Sequence, residues 1–310
     1  MSIAMVNSFK ALVKREYWEH RGAMFLTPAI MAMVFAGLMI LGAITGDHVT
    51  VNENNSFSFY EHLPKVVEQF EDLPEEERSR GIQIGLYGSM ILFGFVMLIV
   101  SLFYALGSLY DERKDRSILF WKSLPISDTA TILSKFLAVT LMIPIFYAVV
   151  VAVFQIFLLV FATVVAWFGG SAGMAIWSSS NLFGVLFNSF FAIVTASLWL
   201  APLWAWLMFA SSWAKKVAFL WGTLPIFMIT VAEGWVFQTT HFIEMVGERI
   251  AHGFTILNSN MHYMVGGDMF DIDVQRWYQV FGNTEFWIGL IVSAVFLAGA
   301  IYTRRHRDES

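Results

Sequence analysis

Four residues late in the chain, His241, Glu244, Glu248 and His252, have the side-chain types that hold a divalent metal. Their i, i+3, i+7, i+11 spacing would place them along one helical face. The other side of such a helix would carry Phe242, Met245, Val246, Ile250 and Phe254. A solvated face of an amphipathic helix at a membrane surface accounts for the same spacing. That reading is adopted, so no metal site is expected. The chain has no cysteine, which excludes disulfides, thiol nucleophiles and thiolate metal sites. It contains no G-x-x-x-x-G-K-[ST] phosphate loop, no H-E-x-x-H and no G-x-S-x-G. Gly169-Gly170-Ser171 reads only as a flexible turn. No catalytic residue and no bound cofactor are therefore expected in this chain.

The elements that would position any chemistry are membrane spans. Of 310 residues, 57% are hydrophobic and only 14% charged, where a soluble domain carries about a quarter charged residues. The expected fold class is an all-α integral membrane protein, a single domain over residues 1–310. Residues 1–22 form an interfacial helix, with Phe9, Leu12, Val13 and Tyr17 on one face and Lys10, Lys14 and Arg21 mostly on the other. Six spans follow: Met24–Ile44, Ile84–Leu106, Ile132–Trp167, Leu182–Phe209, Val217–Ala232 and Phe286–Tyr302. With the N-terminus inside, 14 of the 19 Lys and Arg fall on the cytoplasmic side, close to spans. Both termini and residues 109–135 are then expected inside, and the segments 46–81 and 234–285 outside. The spans carry no Asp, Glu, Lys or Arg at mid-depth, which argues against an ion-coupled carrier. Gln155 and Asn188 are read as amides bonding across helices.

The stretch around which the chain is organised is Leu109–Lys135, a block of charge between two apolar runs. Gly81–Tyr110 before it carries no Asp, Glu, Lys or Arg, and Phe136–Ala232 after it carries only Lys215 and Lys216. A polar connector so placed must lie at a membrane surface. Asp111–Arg116 alternates charge, with Glu112 and Arg116 at the i,i+4 spacing that supports a helix. Ile118, Trp121 and Leu124 then share one helical face. Pro125 ends that helix, and Ser127-Asp128 supplies an N-cap and a first-turn anion for the next. The reading is a surface helix, a proline break and a fresh helix entering the bilayer. An ordinary cytoplasmic loop is the alternative.

The run Glu112-Arg113-x-x-Arg116-Ser117-Ile118-Leu119, closing on Leu124-Pro125-Ile126-Ser127, resembles the intracellular loop of ABC-2 type transporter permeases. That family commonly reads E-R-x-x-G-T-hydrophobic-E, then a Leu, then Pro with a small polar residue two positions on. Here Arg116 replaces the common Gly and Leu119 the common acidic residue. The N-terminal segment resembles the family's elbow helix. The resemblance implies the six-span transmembrane subunit of an ABC exporter, with a coupling helix at 109–135 docking on a separate cytoplasmic ATPase. It implies two ATPase copies holding ATP and Mg, and a second copy of this chain as homodimer partner. It also implies polar contacts to the ATPase from Glu112, Arg113 and Arg116. An apolar wedge of Ile118, Phe120, Trp121 and Leu124 would follow, its angle fixed by Pro125, with Ser117 and Ser127 within the same stretch. The expected location is the plasma membrane, a bacterial inner membrane, with no nucleic-acid partner. The uncharged path points to an amphipathic or lipid-like cargo. Two other classes remain open: a membrane anchor or sensor without transport, and a membrane enzyme using the external His/Glu face.

Overall fold

A chain crossing hydrocarbon must satisfy its backbone within each segment, so apolar runs of this length become helices. The computed structural model describes residues 3–45, 50–52, 55–56, 59–123, 126–171, 173–257, 263–265, 268–270 and 276–306. Helix α1 (Ile3–Arg21) bends at His20 and passes through a π-helical turn, Gly22–Leu26, into α2 (Thr27–Thr45). Helix α3 (Phe59–Asp72) precedes the long α4 (Glu75–Gly107). The charged connector holds two short helices, α5 (Tyr110–Lys114) and α6 (Ser117–Ser123). Then α7 (Asp128–Leu137) runs through a second π-helical turn, Ala138–Met142, into α8 (Ile143–Phe168). After α9 (Met174–Ser179) come α10 (Leu182–Trp199), α11 (Ala201–Trp213), α12 (Ala218–Val236), α13 (His241–Leu257) and α14 (Thr284–His306). Two minute antiparallel hairpins, Thr50–Asn52 with Asn55–Ser56 and Tyr263–Val265 with Asp268–Phe270, lie in the longer connections.

Among the described residues six helices are long and apolar enough to cross a membrane, and the chain is a multi-pass membrane protein. The second rod begins at Glu75, nine residues before the expected Ile84. Its 33 residues reach about 50 Å, more than the ~30 Å of hydrocarbon. The fourth span departs from the single run expected over Leu182–Phe209. The helix breaks at Leu200, and α11 restarts with Pro202 in its first turn. Proline lacks the N–H that would continue α10, and its fixed φ suits the first turn of a new helix.

Helices α4, α8, α10 and α11 form the centre, where Met90, Phe93, Tyr147, Ile193, Trp199 and Trp204 are fully or almost fully buried. Helix α14 lies along α11, α2 against α8, and α13 against α10. The flanks of α2 and α12 expose apolar side chains, among them Met33, Leu41, Phe227 and Val231, as a surface against hydrocarbon does. Gln155 bridges helices as the sequence implies: its amide donates to Leu86 O at 3.1 Å and Ser189 Oγ at 2.9 Å. Asn188 Oδ1 accepts from the Trp277 indole at 3.2 Å.

Candidate functional site

Below the connector, four separate parts of the chain bring charges into one buried cluster. Glu16 of α1 sits on the same helical face as Leu12, and Lys135 of α7 on the face of Ile132, so helical period carries both inward. Glu16 is 0% exposed and Glu112 of α5 only 5%. Glu112 Oε1 accepts from Arg15 Nη2 at 2.9 Å and lies 3.2 Å from Lys135 Nζ, while Oε2 accepts from Arg304 Nη1 at 2.8 Å. Glu16 meets the same Lys135 at 3.1 Å, and accepts from the Tyr104 hydroxyl at 2.8 Å and from Arg15 at 2.7 Å. Arg304 Nε also donates to Asp128 Oδ1 at 2.9 Å. Arg15, Lys135 and Arg304 thus face Glu16, Glu112 and Asp128, three charges of each sign.

Such a cluster is weak evidence for stability, because desolvating six charges offsets most of their attraction. Its geometry is more informative. It ties the first helix, the connector, the foot of the third span and the last turn of α14 at one end of the bundle. The N-terminal helix and the end of α14 therefore lie together at the connector's end.

The connector is also fastened to α11. Ser211 Oγ accepts from the backbone N–H of Leu109 at 3.1 Å and of Tyr110 at 2.9 Å, and donates to Leu106 O at 2.7 Å. The Arg113 guanidinium donates to the carbonyls of Ser211 and Ala214, the free acceptors at the end of α11. The Tyr110 hydroxyl donates to Lys216 O. Helix α6 stands on this base. Ile118 is buried, whereas Leu119 and Phe120 are 55% and 60% exposed. Trp121 is half-buried, with the Arg15 guanidinium 4.1 Å above its ring, a cation–π distance. Ser117 Oγ donates to Glu112 O at 3.2 Å. Ser127 caps α7, its Oγ accepting from Ala130 N at 3.2 Å.

Several expectations change. Glu112 does not pair with Arg116 at i,i+4; its carboxylate is taken by cations from α1, α7 and α14. Arg116 is exposed and left-handed, with φ 56, which ends α5 and re-aims the chain into α6. The resembling family commonly has glycine at this position, the residue that adopts positive φ freely. Glu112, Arg113 and Ile118 face their own chain; among the described residues of 110–123 the exposed ones are Asp111, Lys114, Asp115, Arg116, Leu119, Phe120, Lys122 and Ser123, of which Leu119 and Phe120 are the apolar pair. Leu124 and Pro125 lie outside the described residues. Arg15, Glu16, Tyr104, Asp128, Lys135 and Arg304 were not singled out by sequence as site residues. For Glu16 and Lys135 the available signal was a charge within an apolar helical stripe, beside Leu12 and Ile132.

At the opposite end, His241 is 82% exposed and 3.9 Å from Glu244, while His252 packs edge-on against Trp199. Among the described residues no three His, Asp or Glu gather into a metal-holding group. Arg249, one turn before His252, is the tightly held group here. Its Nε donates to Trp199 O and its Nη1 to Glu285 O, both at 2.9 Å, and its guanidinium stacks 4.1 Å from the Trp199 ring. Comparison with family models, with curated proteins and with solved structures finds no match.

Proposed function

We propose that the chain is the permease subunit of an ATP-binding cassette transporter of the ABC-2 type, coupled to a separate cytoplasmic ATPase. The observation that supports this reading is the built connector: a short helix with two adjacent exposed apolar side chains, Leu119 and Phe120, rigidly seated on a buried ionic base. An exposed apolar pair on a rigid mount is what a docking contact needs, since a partner can then push on it without melting it. In this reading the ATPase groove receives Leu119 and Phe120, with Arg116 beside them. A push on α6 reaches α4 through α5, and reaches α1, α7 and α14 through Glu112 and its three cations. The connector and both termini face the cytoplasm of a bacterial inner membrane, two copies of the chain pair around the path, and transport is outward. ATP and Mg belong to the ATPase, and this chain catalyses nothing.

The test is recovery of a cytoplasmic ABC ATPase from the same cells on the immobilised chain. A buried aromatic anchor is worth about 2 kcal/mol or more, so Phe120→Ala should weaken the complex about 30-fold. Equal recovery at sub-saturating ATPase would remove this reading and leave an anchor whose α6 dips into lipid headgroups.

A further inference from the structure

On the flank of the bundle, far from the ionic hub, α2 and α8 diverge and leave an apolar cleft of about 370 Å³. Ile40 and Ile44 form one wall and Phe157, Phe161 and Phe168 the other, with Leu63 of α3 closing the end. Helix α3 is fixed there as a roof. Val67 packs so closely on Gly169 that a side chain at 169 would strike it, and Glu71 accepts a hydrogen bond from the Ser171 hydroxyl. The roof is amphipathic: Leu63, Val67 and Phe70 turn inward, while His62, Lys65, Glu68 and Asp72 are exposed. That is the arrangement of a helix lying at the headgroup level.

The dimensions decide what fits. From Phe157 to Phe168 is eleven helical rises, about 16 Å, which matches the ~15 Å of hydrocarbon in one leaflet. The lining is apolar along that whole length, which suits one extended hydrocarbon chain lying along α8. We propose that this cleft seats an acyl chain of a membrane phospholipid in the leaflet opposite the ionic hub, its headgroup emerging beside α3. The seat is independent of whether the chain is a transporter.

The test uses the full chain in vesicles of phosphatidylethanolamine and phosphatidylglycerol, doped with phosphatidylcholine carrying a photoactivatable acyl chain. Labelling of residues 40–44 and 157–168 should exceed that of the exposed α12 face around Phe227 and Val231 by roughly fivefold or more. Ala43→Phe, which fills the cleft, should reduce that excess to the α12 level. Val164→Trp should do the same from a position already 43% exposed, and so tolerant of bulk should Ala43→Phe fail to fold. Uniform labelling, or an excess that persists in the filled variants, would overturn the proposal. So would a disulfide between two copies through Ala43→Cys, which would assign the cleft to a chain–chain contact.

Discussion

Removing Lys135 should cost far more than removing an ordinary surface lysine, and the cost should shrink when Glu112 is removed with it. Lys135 is 1% exposed and lies 3.1 Å from Glu16 and 3.2 Å from Glu112. Lys135→Ala leaves Arg15 and Arg304 facing three carboxylates, a buried excess of one negative charge. Breaking a buried pair from one side costs about 3–5 kcal/mol. Glu112→Ala leaves the opposite excess and should cost a similar amount. The double variant restores the balance at two charges of each sign. Its destabilisation should therefore fall short of the sum of the singles by about 0.5–3 kcal/mol, the range for directly coupled residues. Reversible unfolding in mixed dodecyl sulfate micelles, followed by circular dichroism, would read all four corners of the cycle. Singles that each cost under ~0.5 kcal/mol, as surface substitutions do, would refute the buried cluster. Strict additivity would refute the claim that Glu112 and Lys135 share one charge balance.

Other expectations are simpler to check. A side chain at Gly289 would meet the Arg249 guanidinium, so Gly289→Ala should destabilise by about 1–3 kcal/mol; in an Arg249→Ala background the same change should cost much less, and melting of the four variants reads the difference. The chain lacks cysteine, so single cysteines at Arg116 and Lys65 report topology: an impermeant reagent outside intact cells should label the second and not the first. Replacing His241 and His252 together by Gln should leave ATP turnover of the assembled complex intact; a loss restored by added zinc would reinstate the metal reading.

The spans were legible because hydrophobic runs between charged connectors leave few alternatives, and the Ser127 cap was legible because its chemistry is local. What local rules missed lies far apart in sequence. Glu112 and Arg304 are separated by 192 positions, and Lys135 and Glu16 by 119. The i,i+4 rule offered Arg116 as the partner of Glu112, worth about 0.2–0.5 kcal/mol on a helix surface. Two buried cations, Lys135 and Arg304, and the half-buried Arg15 outweigh that, and the left-handed Arg116 then frees itself to turn the chain. The helical face assigned to Ile118 and Trp121 was real, but it packs inward and beneath Arg15, leaving Leu119 and Phe120 outside. The break at Leu200 was marked by Pro202, within an apolar run long enough to read as one span.

The central claim is that α6 transmits force between this chain and an ATPase. The most direct measurement is ATP turnover by the ATPase recovered with this chain, co-reconstituted with it in vesicles. The wild-type chain should raise that turnover. The Leu119→Ala/Phe120→Ala variant, both positions exposed and so harmless to folding, should lose the stimulation while melting like the wild type. Stimulation unchanged by the double variant, or absent with the wild type, would contradict the account.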